Sequence, residues 1–413
     1  MSKISCKICN AQEHVMQKHL EQHHPDVSIE QYQARFPGEP VLSALAQQAL
    51  DKRLKGRAAA TAAAATAAEA NTSAATAEAQ SESSAVMPTQ SATAANTAPV
   101  VQKNLITKRS LHEVFDLGKA KAAMSVRGDP IPISVMLAHE HQDMVPAVSD
   151  NYVYDISELK NVILALELAI PCLVWGHKGS GKSELLEQAC ARTNRPMMRI
   201  QHTVNTEESH ITGQWTVKAG QTEFELGPLP MAMQFGWVYC ADEYDFGMPS
   251  VLSVYQSVLE GKALVIKEAP AAMRVIRPHP NFRFVATGNT NGSGDETGLY
   301  QGTLIQNSAN YDRFGIVINK KYMDRKAEAQ ILQNHCKLTP GDAEKMVDFA
   351  TQVRQAYDGA KISDTISPRT LIYAAKVGVM RGSFREGLML SFINKLCKID
   401  REVADGLAQR VFG

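Results

Sequence analysis

One stretch of the sequence has the glycine spacing of a phosphate-binding loop. Residues 174–183 read V-W-G-H-K-G-S-G-K-S, in which four residues separate Gly176 from Gly181, Lys182 and Ser183. An apolar run precedes this loop and a helical pattern follows it, which is the strand, turn and helix order of a P-loop. Glycines let backbone N–H groups turn toward a phosphate, and the N-terminus of the following helix attracts it further. The spacing therefore predicts a site for the phosphates of a nucleotide.

The side chains of this loop have separate predicted roles at an ATP and magnesium site. Lys182 is expected to reach the terminal phosphates of ATP, and the hydroxyl of Ser183 is expected to ligate Mg²⁺. The residues predicted to bind the nucleotide through the loop are Gly176, His177, Lys178, Gly179, Ser180, Gly181, Lys182, Ser183 and Glu184.

A second apolar run ends in two acids. Residues 237–243 read W-V-Y-C-A-D-E and have no helical period, which predicts a buried strand that delivers two carboxylates to the same site. Asp242 is expected to hold Mg²⁺ through water, and Glu243 is expected to polarise the attacking water as the general base. The alternative interpretation is a solvated strand end, which the upstream phosphate loop makes less favourable.

Three further polar residues extend the predicted site. Asn289 ends another apolar strand and is expected to orient the water or to sense the terminal phosphate. Arg313 is predicted to reach the terminal phosphate of a neighbouring subunit in a ring, where it would stabilise charge in the transition state. Its alternative role is an ion pair with Asp312 or another acid. Arg369 opens a predicted helix near the C-terminus and is expected to contact the nucleotide from a lid.

The N-terminal region has the ligand types of a zinc site. Cys6 and Cys9 form a C-x-x-C pair, and a histidine-rich helix follows them. His19 and His24 are predicted to complete a tetrahedral Zn²⁺ site, with His23 as the alternative to His24 for the fourth ligand. The competing interpretation is a pair of spare thiols beside a solvated helix. Basic and acidic residues are interspersed here, so a protein partner is at least as well supported as nucleic acid.

Composition limits the class of protein without naming it. The chain has 413 residues, for which two or three structural units are expected, and it balances 43 basic against 43 acidic residues. No run approaches the length of a membrane span, and the first residues have no apolar signal region, so we predict a cytoplasmic protein. Five cysteines are expected to be reduced core residues: Cys172, Cys190, Cys240, Cys336 and Cys397.

The pattern along the chain predicts five segments. They are a zinc-finger-like module at 1–56, a disordered Ala/Thr/Ser-rich linker at 57–103, an extended arm at 104–150, an α/β core at 151–319 and an α-helical lid at 320–413. Strand, phosphate loop, helix and strand form a βαβ unit, so the fold class is α/β with a parallel sheet. A hairpin is expected near 204–230, and core packing is predicted for both Trp215 and Phe224. Residues 130–135 of the arm are expected to be irregular. Lys320 and Lys321 are expected to lie at a solvated strand end, with a small basic spot as the alternative.

The motifs in this order resemble an AAA+ ATPase of the MoxR type, with Walker A, Walker B, sensor 1, arginine finger and sensor 2. Within that class, three stretches are similar to the CobS family, the ATPase subunits of aerobic cobaltochelatase. They are D-E-Y-D-F-G-M-P-S-V at 242–251, V-I-R-P-H-P-N-F-R at 275–283 and A-T-G-N-T-N-G-S-G-D-E-T-G-L-Y-Q-G-T at 286–303. The resemblance covers roughly residues 110–320. Separately, residues 6–40 resemble the short zinc fingers of the Ros/MucR type.

The resemblance to CobS implies a ring-forming ATPase, a homo-hexamer, that works with a partner carrying an integrin-like metal-binding domain. In cobaltochelatase such a motor drives cobalt insertion into a corrin held by a separate subunit. The hairpin near 204–230 matches the helix-2 insert of this clade. The finger and the linker are not part of the CobS pattern, so the alternative function is a DNA-associated remodelling ATPase tethered by its finger.

Overall fold

The computed structural model describes residues 4–9, 11–13, 20, 23–24, 27, 29–37, 39–40, 106–118, 120–218, 220–295 and 298–413. The described residues belong to two units, which divide after residue 98. The predicted linker at 57–103, the predicted end of the first module at 41–56 and His19 lie outside the described residues.

The described residues of the first unit include a small hairpin and a helix. Strand β1 (Ile4–Ser5) pairs antiparallel with β2 (Gln12–Glu13), and helix α1 spans Ile29–Arg35. Cys6 and Tyr32 are buried, and the Lys7 backbone N–H donates to the Tyr32 hydroxyl at 2.9 Å. This contact joins the turn after β1 to the helix.

The second unit is built on a five-stranded sheet, whose strands are β5 (Cys172–Trp175), β6 (Met197–Gln201), β9 (Val238–Asp242), β12 (Arg283–Gly288) and β13 (Ile316–Asn319). Their order in the sheet is β13-β5-β12-β9-β6, and every neighbouring pair is parallel. In the described part of the second unit, three antiparallel strand pairs accompany the sheet: β3 (Ile106–Ser110) with β4 (Pro132–Met136), β7 (Gly213–Lys218) with β8 (Gln221–Leu226), and β10 (Leu264–Val265) with β11 (Val275–Ile276).

Helices cover the sheet and form the C-terminal region. Those from the start of the second unit to the end of the sheet are α2 (Leu111–Val114), α3 (Ile156–Leu168), α4 (Lys182–Arg192), α5 (Glu208–Thr212), α6 (Pro228–Phe235), α7 (Pro249–Leu252), α8 (Gln256–Leu259) and α9 (Ser308–Tyr311). The C-terminal helices are α10 (Arg325–Cys336), α11 (Pro340–Asp358), α12 (Pro368–Arg381), α13 (Phe384–Ser391) and α14 (Lys398–Phe412). Short 3₁₀ turns span Lys121–Ala123, Gln142–Met144, Tyr244–Phe246, Ser253–Tyr255 and Ile393–Lys395.

Alternation along the central strands explains why both faces of the sheet are buried. In β9, Val238 and Cys240 point into one apolar cluster, while Tyr239 and Ala241 point into the cluster on the opposite face. All four side chains are at most 1% exposed. A parallel strand covered on both sides therefore appears in sequence as a continuous apolar run, as predicted for residues 237–243.

The C-terminal helices have their own apolar core, which confirms the predicted helical region. Helix α12 is well delimited: the Ser367 side chain accepts the Thr370 backbone N–H, Pro368 occupies the first turn, and Gly382 ends the helix in the left-handed region. A buried ion pair joins α10 to α11, because Arg354 donates both terminal nitrogens to the Glu328 carboxylate at 2.7 Å. We call these five helices, together with the turns between them, the lid.

Four local expectations are corrected by the structure. Residues 132–135, part of the stretch 130–135 expected to be irregular, lie in β4, where they pair with β3. Phe224 is buried as predicted, but Trp215, its partner across the hairpin, is 50% exposed although the two rings pack in a T-shaped contact. Cys397 is exposed at the start of α14, and Cys336 is only partly buried. Lys320, interpreted as a solvated strand end, is 1% exposed and forms an ion pair with Glu158.

Among the described residues, no helix is both long enough and apolar enough to cross a membrane.

Candidate functional site

The phosphate loop connects β5 to α4 at the carboxyl end of the sheet. Gly176 has φ +151°, and a Cβ there would lie 2.1 Å from the Lys320 carbonyl oxygen. Gly179 has φ +67°, and its Cβ would lie 2.6 Å from the Cβ of Ser367. Gly181, at φ +85°, precedes the first residue of the helix. The loop is thus packed against β13 on one side and the lid on the other, which explains its glycines.

Lys182 is buried at the start of α4, with 9% of its surface exposed. Its ammonium donates to the Gly176 carbonyl at 2.8 Å, the His177 carbonyl at 3.2 Å and the Asn289 side-chain oxygen at 3.0 Å. Burial lowers the pKa of Lys182 to about 8, although Asp245, Asp242 and Glu243 oppose this effect. The amine is therefore held in the site, beside Asn289, by acceptors that bear no formal charge.

Asp242, at the end of β9, accepts hydrogen bonds from several side chains. The Ser183 hydroxyl donates to its Oδ1 at 2.8 Å, and Thr287 donates to the same oxygen. Arg199 donates to its Oδ2 from Nε at 3.0 Å and from Nη2 at 2.6 Å. Burial alone would raise the pKa of Asp242, but the hydrogen bonds from Thr287, Arg199 and Ser183 lower it overall.

The Ser183 and Asp242 oxygens fit a magnesium ion. Mg²⁺ prefers hard oxygen ligands and retains several waters, so it needs only one or two protein ligands beside the phosphates. Arg199 also pairs with Glu187 at 2.7 Å, so its guanidinium has a second acid available near this position. Binding of a cation at Asp242 can therefore be accommodated by a shift of Arg199 toward Glu187.

Glu243 follows β9 in the left-handed backbone region, with φ +52°. This conformation is uncommon for a residue with a side chain, and here it directs the carboxylate away from the strand. Its backbone N–H donates to the Thr287 hydroxyl at 3.1 Å, and the Gln201 amide donates to its Oε2 at 2.8 Å. The carboxylate thus lies at the mouth of the site, beside Asp242.

Asp245 links this acidic strand end to Asn289. Its Oδ2 accepts the backbone N–H groups of Asn289 at 2.9 Å and Thr290 at 2.8 Å, and also the Thr290 hydroxyl at 2.9 Å. Burial raises the pKa of Asp245, against the effect of these hydrogen bonds. Asp245 therefore fixes the backbone at the end of β12, where the Asn289 side chain meets Lys182.

Two cavities adjoin the inner face of the loop. One of about 360 Å³ is lined by Lys182, Ser183, Asp242, Glu243 and Asn289, and thus contains the polar groups described above. The other, of about 240 Å³, lies between Gly179–Gly181, the segment around Tyr152 and the lid residues Ile331 and Ile372. Arg369 and Glu184 border both cavities.

Arg313 lies apart from these cavities and is 26% exposed at its side chain. Its Nε donates to Glu260 Oε1 at 2.8 Å, and its Nη2 forms an ion pair with the same oxygen at 2.8 Å. Arg313 therefore has an acidic partner, as its alternative role predicts. That partner is Glu260 rather than Asp312. Within one chain, Arg313 is not part of the nucleotide cavities.

In the first unit, Cys6, Cys9 and His24 have ligand atoms within 4.8 Å of one another. His23 is exposed and is not in this group. His19, the remaining predicted ligand, lies outside the described residues. Two thiols and an imidazole are suitable donors for Zn²⁺, so the described part of the predicted set fits the metal.

Several site residues were not predicted from the sequence: Arg199, Gln201, Asp245 and Thr287. Arg199 and Gln201 lie on β6, and they reach Asp242 and Glu243 only because β6 pairs with β9 in the folded sheet. Thr287 faces Asp242 through the pairing of β12 with β9. The sequence shows only that polar residues lie at or near the ends of these strands. That pattern does not identify which of them meet unless the order of the strands is known.

The chain matches two known domain families. Residues 171–302 match the AAA domain of the dynein-related subfamily, and residues 328–411 match the C-terminal region of the CbbQ/NirQ/NorQ proteins. These matches and the parallel sheet with its phosphate loop define the chain as an AAA+ ATPase. ATP and Mg²⁺ are the nucleotide and metal expected of that class.

The chain is also similar to individual proteins. The chain is 35% identical over 280 residues to the aerobic cobaltochelatase subunit CobS of Sinorhizobium sp., covering 65% of this chain and 83% of the relative. It is 28% identical to the uncharacterized protein YojN of Bacillus subtilis, covering 53% and 70%. The RuvB Holliday junction branch migration motor of Thermotoga maritima aligns at 16% identity with a TM-score of 0.37, covering 65% and 72%. The chain belongs to the CobS family.

The lowered pKa of Lys182 predicts that nucleotide affinity depends on pH. A charged Lys182 favours phosphate binding, and deprotonation above about pH 8 removes that charge, so the Kd for ATP should rise by up to about tenfold between pH 7 and 9. Bound phosphate stabilises the ammonium, and binding at about pH 8 should therefore take up protons. Calorimetry in two buffers with different ionisation enthalpies measures both effects. A Kd that is constant over this range, without proton uptake, would contradict the assignment.

Proposed function

We propose that this protein is a ring-forming ATPase subunit that uses ATP hydrolysis to remodel a partner complex. The observation that carries the proposal is the convergence of Lys182, Ser183, Asp242, Glu243 and Asn289 around one cavity beside the phosphate loop. Membership of the CobS family supports ATP as the nucleotide.

The nucleotide is proposed to occupy the two adjoining cavities. The 240 Å³ cavity has apolar walls from Ile331 and Ile372 and accepts the base, while the loop N–H groups and Lys182 hold the phosphates. Ser183 and Asp242 hold Mg²⁺, which when bound neutralises phosphate charge. Arg369, which borders both cavities, contacts the phosphates from the lid.

Hydrolysis is proposed to proceed by attack of a water on the terminal phosphate. Glu243 accepts a proton from that water as the general base, and the Asn289 side chain orients it. In the structure Lys182 donates to Asn289, so an incoming phosphate competes with Asn289 for the ammonium. Binding of ATP would thereby release the Asn289 amide to orient the water.

Completion of the site is proposed to require a neighbouring subunit. Arg313 is partly exposed and separate from its own chain's nucleotide cavities, so it is free to serve another subunit once it leaves Glu260. A homo-hexamer provides such neighbours. The guanidinium would stabilise charge on the terminal phosphate in the transition state.

The proposed partner carries an integrin-like metal-binding domain. The relative CobS is a subunit of aerobic cobaltochelatase. By extension, this chain would power insertion of cobalt, as substrate, into a corrin held by separate subunits, at a cytoplasmic location. The DNA-associated alternative is not favoured by the matches to CobS and to the AAA domain.

The N-terminal unit is proposed to bind one zinc ion through Cys6, Cys9, His24 and His19. The spacing of the first three supports this assignment, because their ligand atoms lie within 4.8 Å of one another. A structural zinc site would stabilise a unit whose described apolar core is small.

Replacing the general base should separate nucleotide binding from turnover. We expect Glu243→Gln to bind ATP with a Kd within about threefold of wild type and to hydrolyse it at least about 100-fold more slowly, because the amide cannot accept the proton. Lys182→Ala is the matched control, in which binding itself is lost. A Glu243→Gln variant that turns over at the wild-type rate would refute the assigned base. Retention of a partner on the ATP-bound variant would identify the remodelled complex.

The zinc assignment predicts one equivalent of metal per chain. Mass spectrometry under native conditions should detect one zinc in the wild-type protein and none in Cys6→Ser, since loss of a thiolate opens the tetrahedral site. Cys397→Ser removes an exposed thiol from the second unit and should leave the metal content unchanged. Wild-type protein without zinc, after purification free of chelators, would exclude the site.

A further inference from the structure

The phosphate loop is held by a tyrosine that borders the 360 Å³ cavity. The Tyr300 hydroxyl accepts the Lys178 backbone N–H at 2.9 Å and lies 3.0 Å from Nδ1 of His177. Tyr300 follows β12 in the chain and is 8% exposed. A buried side chain from outside the loop therefore fixes two consecutive loop residues.

The next backbone group of the loop is held from the opposite direction. The Tyr322 hydroxyl donates to the Lys178 carbonyl oxygen at 3.1 Å, and the Lys178 ammonium forms an ion pair with Asp364. Asp364 belongs to the lid, in the turn before α12. Tyr322 is itself fixed by the lid, because the Arg354 guanidinium lies 4.2 Å from its ring centroid. The Lys178 N–H is thus bound by Tyr300 of the α/β core. The Lys178 carbonyl is bound by Tyr322, which the lid fixes, and the Lys178 ammonium is bound by Asp364 of the lid.

The His177 ring completes this arrangement. It stacks on Tyr322 with a centroid distance of 5.9 Å and an interplanar angle of 24°. Nδ1 of His177 and the Tyr300 hydroxyl form a hydrogen bond in which the donor depends on the imidazole tautomer. Burial and the nearby Lys182 ammonium lower the pKa of His177, which favours the neutral imidazole. Burial also raises the pKa of Tyr300 to about 12, so its hydroxyl keeps the proton at neutral pH.

Lys178 and Tyr300 border the 360 Å³ cavity that is proposed to hold the phosphates. Tyr300 and Asn289 also line an adjoining cavity of about 590 Å³ between the end of the sheet and the lid, together with His177 and Tyr322. The Tyr300 and Tyr322 hydroxyls bind the loop backbone itself, so the loop conformation needed for phosphate binding depends on hydrogen bonds made within the chain. We call Tyr300, Tyr322 and Asp364, with the loop residues His177 and Lys178, the latch.

We propose that Tyr300 is a positioning residue for nucleotide binding, and that the latch makes nucleotide release depend on the position of the lid. This inference rests on the proposed nucleotide site, but not on Glu243 as the base. When the lid moves away, the Asp364 ion pair and the support of Tyr322 are lost together. Tyr300 then holds the loop from one side only, and bound ADP dissociates faster.

Release of a fluorescent ADP analogue tests the proposal directly. Tyr300→Phe keeps the ring but leaves the buried Lys178 N–H without its acceptor, so we expect ADP to dissociate about tenfold faster and the KM for ATP to rise similarly. The single-turnover rate of hydrolysis at saturating ATP should stay within about twofold of wild type. This split between binding and chemistry would not follow from a general loss of structure.

The matched control is Tyr357→Phe. Tyr357 lines the same cavity and packs edge-on against His177, but its hydroxyl makes no hydrogen bond within the described residues. This variant should release ADP at the wild-type rate. Asp364→Asn weakens a partly exposed ion pair and should speed release by about twofold. In the double variant Tyr300→Phe/Asp364→Asn, the acceleration of ADP release should differ from the product of the two single accelerations, because both groups hold Lys178.

Several outcomes would overturn the latch. One is ADP release from Tyr300→Phe at the wild-type rate, and another is equal acceleration in Tyr357→Phe. If Tyr300→Phe fails to fold, wild-type release from the Asp364→Asn variant overturns the proposal on its own. Wild-type protein that binds ADP but does not hydrolyse ATP would contradict the proposed function while leaving the latch measurable. Wild-type protein that binds no nucleotide would overturn both.

Discussion

The order of strands in the parallel sheet is the constraint on which the site depends. Because β12 lies between β5 and β9, the phosphate loop, Asn289 and the Asp242–Glu243 pair meet at adjacent carboxyl ends, although they are distant in sequence. Ligand sites in open α/β sheets form at this edge. Each polar group reaches the site from a strand that is buried on both faces, so the positions of the groups are set by the apolar core rather than by the loops themselves.

The charged groups of the site already have polar or charged partners within the chain. Lys182 is desolvated and donates to two carbonyls and to Asn289, while Asp242 is paired with Arg199. An ATP–magnesium complex supplies a phosphate to Lys182 and a cation to Asp242. Binding therefore exchanges existing partners for stronger ones, which limits the desolvation cost of a buried charge. Lys178 differs, because its N–H, carbonyl and ammonium groups are bound by Tyr300, Tyr322 and Asp364, which hold the loop in place.

Local patterns were sufficient to predict the strand, loop and helix at 172–192 and the apolar strand ending at Asp242, since those signals depend only on neighbouring residues. They were insufficient where distant segments meet. Lys320 looked like a solvated strand end, yet it is buried and pairs with Glu158, which lies on α3. Tyr300 lies in the stretch 286–303 that resembles CobS, but its role was not predictable from that pattern, because it arises only when the segment after β12 folds back onto the phosphate loop. The assigned site roles themselves stay predictions.

The central claim, a nucleotide site completed by a neighbouring subunit, is tested most directly by mixing two inactive variants. Lys182→Ala supplies Arg313 but binds no ATP, whereas Arg313→Ala binds ATP but lacks the arginine. After subunit exchange in equal amounts, about a quarter of the sites would combine an intact phosphate loop with a neighbour's Arg313, so ATP hydrolysis should recover to roughly that fraction of wild type. A mixture no more active than the mean of its two components, or an Arg313→Ala protein as active as wild type, would contradict the account.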